Sequence, residues 1–218
     1  MDTMLQITGS KLIAIARGIY GEELEEATLA LYRGGVRAFE VTFEQENDIA
    51  RASEKIDLTC NAIGRLCEIL PGDAAVGAGT VMNADQVKSA CASGAKFMIS
   101  PNSDKSVIEQ TKLLSLVSIP GAMTPTEIVK AYSYGADIVK VFPAGLLGAE
   151  FFKAIKAPLA HIPLAAVAGI TPENIRDFAL AGASVFGISS GLYKASSIKK
   201  HDFEALTEAA AGFYKALN

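Results

Sequence analysis

The chain contains no tryptophan, two histidines and three cysteines, and each scarcity removes a kind of chemistry. Cys60, Cys67 and Cys91 are odd in number and form no C-x-x-C, so neither a disulfide scaffold nor a zinc ribbon is expected. His161 falls in an expected loop and His201 near the last helix, and no H-x-H or H-E-x-x-H occurs. No metal site and no Ser–His–Asp triad is therefore expected. Positive charge is not in excess either: 20 Lys and Arg against 24 Asp and Glu leave a net charge of −4. A nucleic-acid scaffold should be basic, which argues against that partner. No apolar run approaches the ~18 residues of a membrane span. Met1-Asp2-Thr3 lacks the basic, apolar and small-residue order of a signal peptide. The expectation is a cytoplasmic protein with neither a nucleic-acid nor a membrane partner.

What is present is a large apolar reserve. Of the 218 residues 50% are hydrophobic and 20% charged, enough for a sizeable core. No linker, charge block or low-complexity tract divides the chain, so residues 1–218 are expected to form a single domain. One pattern recurs: a short apolar run, a polar turn, then a longer segment with helical spacing. Apolar runs begin at Lys11, Arg37, Ala74, Phe97, Leu116, Asp137, Leu164 and Val185. Between them lie expected helices over 21–33, 48–69, 83–93, 103–113 and about 148–156, with further starts at Thr124-Pro125-Thr126-Glu127 and Thr171-Pro172-Glu173-Asn174. A closing amphipathic helix covers 201–217. Gly35, Gly94, Gly135 and Gly182 each precede a strand and read as left-handed helix terminators. Roughly eight strand–helix units at about 27 residues each approach the shortest βαβ repeat. With no G-x-G-x-x-G fingerprint, they favour a closed (β/α)8 barrel, a TIM barrel, over an open doubly wound sheet.

Strand side chains alternate with a period of two. In Asp137–Phe142 (DIVKVF), Val139 and Val141 share one face, and Ile138, Lys140 and Phe142 the other. In Arg37–Phe43 (RAFEVTF), Phe39, Val41 and Phe43 share one face, and Glu40 and Thr42 the other. The β-branched and aromatic faces suit the helix layer, which turns Lys140 and Glu40 inward. A buried unpaired ammonium is costly, so such a lysine pairs or loses its proton. A neutral amine in a sheltered pocket condenses with ketones to a Schiff base. A structural Lys140–Glu40 ion pair plugging the barrel fits the same spacing. Arg17 ends the first strand, Thr80 the third, and Pro101 follows the fourth, all on the side where barrel enzymes build their sites. Simple capping is the other role open to each of them. The turns around Gly169 and Ser190 follow strands seven and eight, where backbone N–H groups can receive a phosphate; ordinary capping by Thr171 and Ser190 would leave the same residues there.

These residues resemble the 2-keto-3-deoxy-6-phosphogluconate/4-hydroxy-2-oxoglutarate (KDPG/KHG) aldolase family. The resemblance runs from about Leu12 to the C-terminus. It is carried in order by Gly34–Thr42 (GGVRAFEVT), Val76–Val81 (VGAGTV), Ile99-Ser100-Pro101, Ile119-Pro120-Gly121 and Val139–Ala144 (VKVFPA). The resemblance implies a class I aldolase on a (β/α)8 barrel, a homotrimer, with no cofactor. It implies Lys140 as Schiff-base lysine and Glu40 as general acid/base, with Thr80 against pyruvate. Pro101 and Phe142 would line the pocket, and Gly169 and Ser190 would receive phosphate. The substrate would be a small 2-keto acid, usually phosphorylated, cleaved to pyruvate and an aldehyde.

Two positions depart from the phosphogluconate enzymes: Glu44 stands where they carry an arginine for the keto-acid carboxylate, and Val167 replaces a threonine. Both are similar to the phosphogalactonate branch, whose opening motif resembles Leu12–Ile19 and makes Arg17 the anion anchor. Glu44 would repel the substrate unless it points away. Two other functions remain open: a phosphosugar isomerase or epimerase without a covalent adduct, and a sugar-acid sensor that binds without turnover.

Overall fold

A computed structural model describes residues 2–218. The strands are β1 (Leu12–Ala16), β2 (Ala38–Thr42), β3 (Ala75–Gly79), β4 (Phe97–Ile99), β5 (Val117–Ile119), β6 (Gly121–Ala122), β7 (Val139–Val141), β8 (Leu164–Val167) and β9 (Ala183–Ile188). The helices are α1 (Thr3–Ser10), α2 (Gly21–Arg33), α3 (Ile49–Ile69), α4 (Ala84–Ala92), α5 (Lys105–Leu113) and α6 (Pro125–Ser133). They continue with α7 (Ala144–Leu147), α8 (Ala149–Lys156), α9 (Ile175–Leu180), α10 (Ala195–Lys199) and α11 (Glu204–Leu217).

All strand pairs are parallel, in the order β5-β4-β3-β2-β1-β9-β8-β7-β6. β5 and β6 are two halves of one strand, broken at Pro120, which has no N–H for a ladder. The first half pairs with β4 and the second with β7. Ile138 N–H donates to the Ser118 carbonyl and Lys140 N–H to that of Pro120, so the β7 edge joins this broken strand. The ring is thereby nearly closed, as the eight expected strand units require.

The alternation reads out as two packed layers. Phe39, Val41, Phe43, Val139 and Val141 lie in the larger core between sheet and helices. Ile13, Ile15, Ala38, Ala75, Phe97, Ile99, Val117, Ile119, Ile138, Ala165, Val167 and Val185 fill the barrel. Phe97 fits because Gly77 has no side chain; a Cβ there would strike the Phe97 ring. Gly35, Gly94, Gly135 and Gly182 have φ of 101°, 99°, 108° and 100°, the left-handed terminators expected. Thr124 opens α6 with a capping box to Glu127.

Three features depart from expectation. α1 closes the strand-start end of the barrel, with Ile7 buried in the interior and Met4 against it. The segment Thr171–Asn174 is a turn rather than a helix start, and α9 begins only at Ile175. Here the Asn174 side chain accepts the Thr171 N–H while the Ile175 N–H donates to the Thr171 carbonyl, so the turn runs directly into α9. The apolar run at 116–122 is divided by Pro120. Among the described residues no helix is long and apolar enough to cross a membrane.

Candidate active site

Lys140 and Glu40 both project into the barrel, near its strand-end mouth. The sequence calls for a sheltered amine, and Lys140 is 7% exposed. Its ladder partners are Gly121 on one side and Ala165 on the other, small residues that leave the amine space. The Nζ lies 4.8 Å from the centroid of the Phe142 ring, which is 38% exposed and covers the amine from the mouth. The chain then turns at a cis Phe142–Pro143 bond.

Among the described ion pairs, none joins Lys140 to Glu40. The alternative of a structural ion-pair plug therefore fails. Glu40 Oε2 is sealed and has no hydrogen-bond partner. Burial pushes the Glu40 carboxyl up to about 7, against the opposing pull of Lys140 and Arg17. Burial also lowers the Lys140 ammonium; Glu40 opposes this and Arg17 adds to it. The two groups feel each other without being bonded. Each is thus biased toward its neutral form, which is what an amine nucleophile and a proton donor require.

Glu40 owes its position to Gly79. A Cβ at 79 would fall inside the Glu40 carboxyl group and 2.7 Å from its Cγ. Just beyond, Thr80 adopts a left-handed φ of 54°, and its hydroxyl accepts a hydrogen bond from Arg17 at 3.4 Å. Gln45 donates to the Thr80 carbonyl at 3.2 Å.

A cavity of about 310 Å³ opens beside this pair, lined by Arg17, Phe142, Val167 and the turns 168–170 and 187–191. Arg17, Phe142, Gly169 and Ser190 are thus brought to one space. Pro101 shares a neighbouring cavity of about 500 Å³ with Phe142 instead. Neither turn uses all its donors: the N–H groups of Gly169, Ile170, Ser190 and Gly191 have no protein acceptor among the described hydrogen bonds. The Gly169 turn is fixed from outside the cavity. Gly145 N–H donates to the Ala168 carbonyl at 2.8 Å, and a Cβ on Gly145 would lie 2.8 Å from the Gly169 Cα.

Glu44 points away from the cavity. Its Oε2 is 2.6 Å from Lys55 Nζ, and its Oε1 accepts the Tyr20 hydroxyl at 3.2 Å. The Lys55 hydrogen bond holds the carboxyl below its usual range. Tyr20 and Lys55 were invisible as partners in the sequence, because the contact joins the loop after β1, the end of β2 and the first turns of α3. Among the described residues no group of three or more His, Cys, Asp or Glu side chains could hold a metal ion.

Residues 5–209 match the family model described as KDPG and KHG aldolase. The chain is 35% identical to a probable 2-dehydro-3-deoxy-6-phosphogalactonate aldolase of Rhizobium meliloti (strain 1021), over 84% of this chain and 82% of that one. It is 32% identical to the 2-dehydro-3-deoxy-6-phosphogalactonate aldolase of Escherichia coli (strain K12), over 94% and 93%. A solved structure described as native KDPGal superposes with a TM-score of 0.81 at 31% identity, covering 94% of this chain and 93% of that one.

Proposed function

The chain belongs to the KDPG and KHG aldolase family, and from that premise we propose that Lys140 is the Schiff-base amine of a class I, pyruvate-forming aldolase with Glu40 as its acid/base. The activity is that of a carbon–carbon lyase: a 2-keto-3-deoxy sugar acid, usually phosphorylated, is cleaved to pyruvate and an aldehyde. The observation that carries the assignment is an inward-facing lysine, 7% exposed and outside any ion pair, beside a carboxyl raised to about 7.

The neutral Lys140 amine attacks the C2 carbonyl, and the carbinolamine loses water to an iminium with Glu40 moving the protons. The cationic C=N then draws the C3–C4 bonding electrons as Glu40 takes the proton of the C4 hydroxyl. The aldehyde leaves, the enamine is protonated at C3, and water hydrolyses the iminium to pyruvate and free lysine. Arg17 and Thr80 hold the carboxylate. The free N–H groups at Gly169 and Ser190 receive a terminal phosphate, which their position at the end of the same cavity supports. Pro101 and Phe142 wall the pocket.

Phosphogalactonate is the preferred substrate in this reading. Glu44, held by Lys55, cannot serve where the phosphogluconate enzymes carry an arginine, and Val167 lines the cavity. The same reading takes the protein as a cytoplasmic homotrimer, checked by sedimentation equilibrium.

Pyruvate with borohydride should add a stable mass to Lys140, and a Lys140→Met protein should gain none. Cleavage by Lys140→Met should fall about 10⁴-fold or more, as expected for loss of a covalent nucleophile. An unmodified wild-type protein removes the assignment. Pyruvate release from phosphorylated and unphosphorylated 2-keto-3-deoxy acids of gluco and galacto configuration then ranks the substrates.

A further inference from the structure

Arg17 is exposed, and among the described hydrogen bonds its guanidinium makes one, to the Thr80 hydroxyl at 3.4 Å. That distance is beyond the usual range of an N–H···O bond, so the bond does little to place the group. A planar cation with five donors is left open for an anion, and its position depends on the loop that carries it. In that loop, between β1 and α2, Ile19 and Tyr20 are flanked by Gly18 and Gly21, with left-handed φ of 64° and 61°. Glycines permit many backbone conformations, so a contact from outside the loop must select one.

That contact comes from Glu44, two residues beyond β2. The Tyr20 hydroxyl donates to Glu44 Oε1 at 3.2 Å, and a Cβ on Gly18 would stand 3.3 Å from the same oxygen. The Tyr20 ring packs on the outer core, which gives its hydroxyl a firm mount. The other carboxylate oxygen is 2.6 Å from Lys55 Nζ, so Glu44 is tied to α3 rather than free to pair with Arg17. The Arg17 charge nevertheless helps to hold the Glu44 carboxyl low, which puts the two within electrostatic reach. The next residue, Gln45, donates to the Thr80 carbonyl at 3.2 Å. Two adjacent side chains thus tie down the segments that bear Arg17 and Thr80. The Glu44 and Lys55 side chains are 28% and 36% exposed, and a pair that open adds little to stability.

We infer that Glu44 is a positioning residue: clamped by Lys55, its carboxylate fixes the Arg17 loop through the Tyr20 hydroxyl and so sets the guanidinium for the substrate carboxylate. The inference rests on the reading of Arg17 as the anion anchor of an aldolase. A carboxylate that acted by charge alone would repel a keto acid, and its removal would tighten binding. One that acts by placement weakens binding when it is removed.

The probe is pyruvate. The concentration that half-saturates borohydride trapping on Lys140 is measured, with the trapping rate at saturation and Tm. Glu44→Ala and Tyr20→Phe should each raise the half-saturating concentration about three- to tenfold, as expected for one lost hydrogen bond. The saturated rate should stay within about twofold, since Lys140 and Glu40 are untouched. Tm should move by no more than about 2 °C. The double variant should bind no more weakly than either single one, and in an Arg17→Met background neither change should have a further effect. Unchanged or tighter binding in Glu44→Ala overturns the inference, as does a full additional loss in the Arg17→Met background. So does a fall in the saturated rate at unchanged half-saturation, which would place the effect at Lys140. Should Glu44→Ala unfold, Tyr20→Phe carries the same outcomes, because it removes one oxygen from a ring that stays packed. The levels separate cleanly. An unmodified wild type sinks the aldolase reading, and wild-type half-saturation in Arg17→Met sinks the anion anchor. Weak binding in Arg17→Met with normal or tighter binding in Glu44→Ala sinks the role of Glu44 alone.

Discussion

At the strand-start end of the barrel, Ser10 Oγ donates to the Leu12 carbonyl, accepts the Arg37 N–H and lies 2.9 Å from the Tyr214 hydroxyl. Gln6, beside it on α1, donates to the Gly72 carbonyl. At the other end of the same strands, Glu40 Oε2 and Thr42 Oγ1 have no partner, and Thr80 and Ala168 are held at φ of 54° and 72°. Left-handed non-glycine backbone occurs at both ends, at Lys11 and Ser115 as well, but one end satisfies its polar groups and is stoppered by Ile7 while the other leaves two buried side-chain oxygens unmet. The lower end carries stability and the upper end carries chemistry, and a substitution should show its effect in one currency or the other.

Ile7→Ala should have the largest effect, about 3 kcal/mol of unfolding free energy by denaturant titration, from a methyl-rich side chain removed from a sealed interior. Its kcat per folded molecule should match wild type; a large loss of kcat would break the division between the ends. Gly79→Ala should do the reverse. Its methyl displaces the Glu40 carboxyl, so kcat should fall about a hundredfold while the protein stays folded by circular dichroism. A smaller effect should come from Arg17→Met. In wild type, kcat/KM for cleavage should rise as pH passes through about 7, where Glu40 becomes the carboxylate that accepts the C4 hydroxyl proton. Arg17 lowers both Glu40 and Lys140, so removing its charge lets both rise and should move this limb to higher pH. A limb left in place would mean Arg17 acts on substrate alone. The smallest is Ala168→Gly, which relieves a left-handed φ and should stabilise the protein by up to about 1 kcal/mol, read as a small rise in Tm.

Much of this division was legible in the sequence, because it rests on local periodicity. DIVKVF and RAFEVTF placed Lys140 and Glu40 on inward faces, and the structure puts their apolar neighbours in the outer core. The four Gly-terminated helices and the Thr124 capping box are likewise local signals. What escaped depends on distant chain meeting distant chain. Nothing in TMLQITGS says that it will stopper a barrel, since its value lies in the hole it fills. Gly79 stands inside a quoted motif, but its purpose appears only when β2 lies beside it. Glu44 looked repulsive in one dimension and is neutralised by Lys55, eleven positions further along, once α3 folds over it. The Thr171 segment has the composition of a helix start and does lead into one, but the Asn174 side chain first closes a turn, so α9 proper begins at Ile175.

The meeting of Gly145 and Gly169 has a consequence for anyone wishing to retune the enzyme toward other sugar tails. The short helix α7 that follows the lysine strand and the turn at the far wall of the cavity touch backbone to backbone, with no side chain between them to absorb a change. Neither can drift or be lengthened alone. A library that varies one while freezing the other should yield mostly misfits, and specificity should move only when the two segments are exchanged as a matched set.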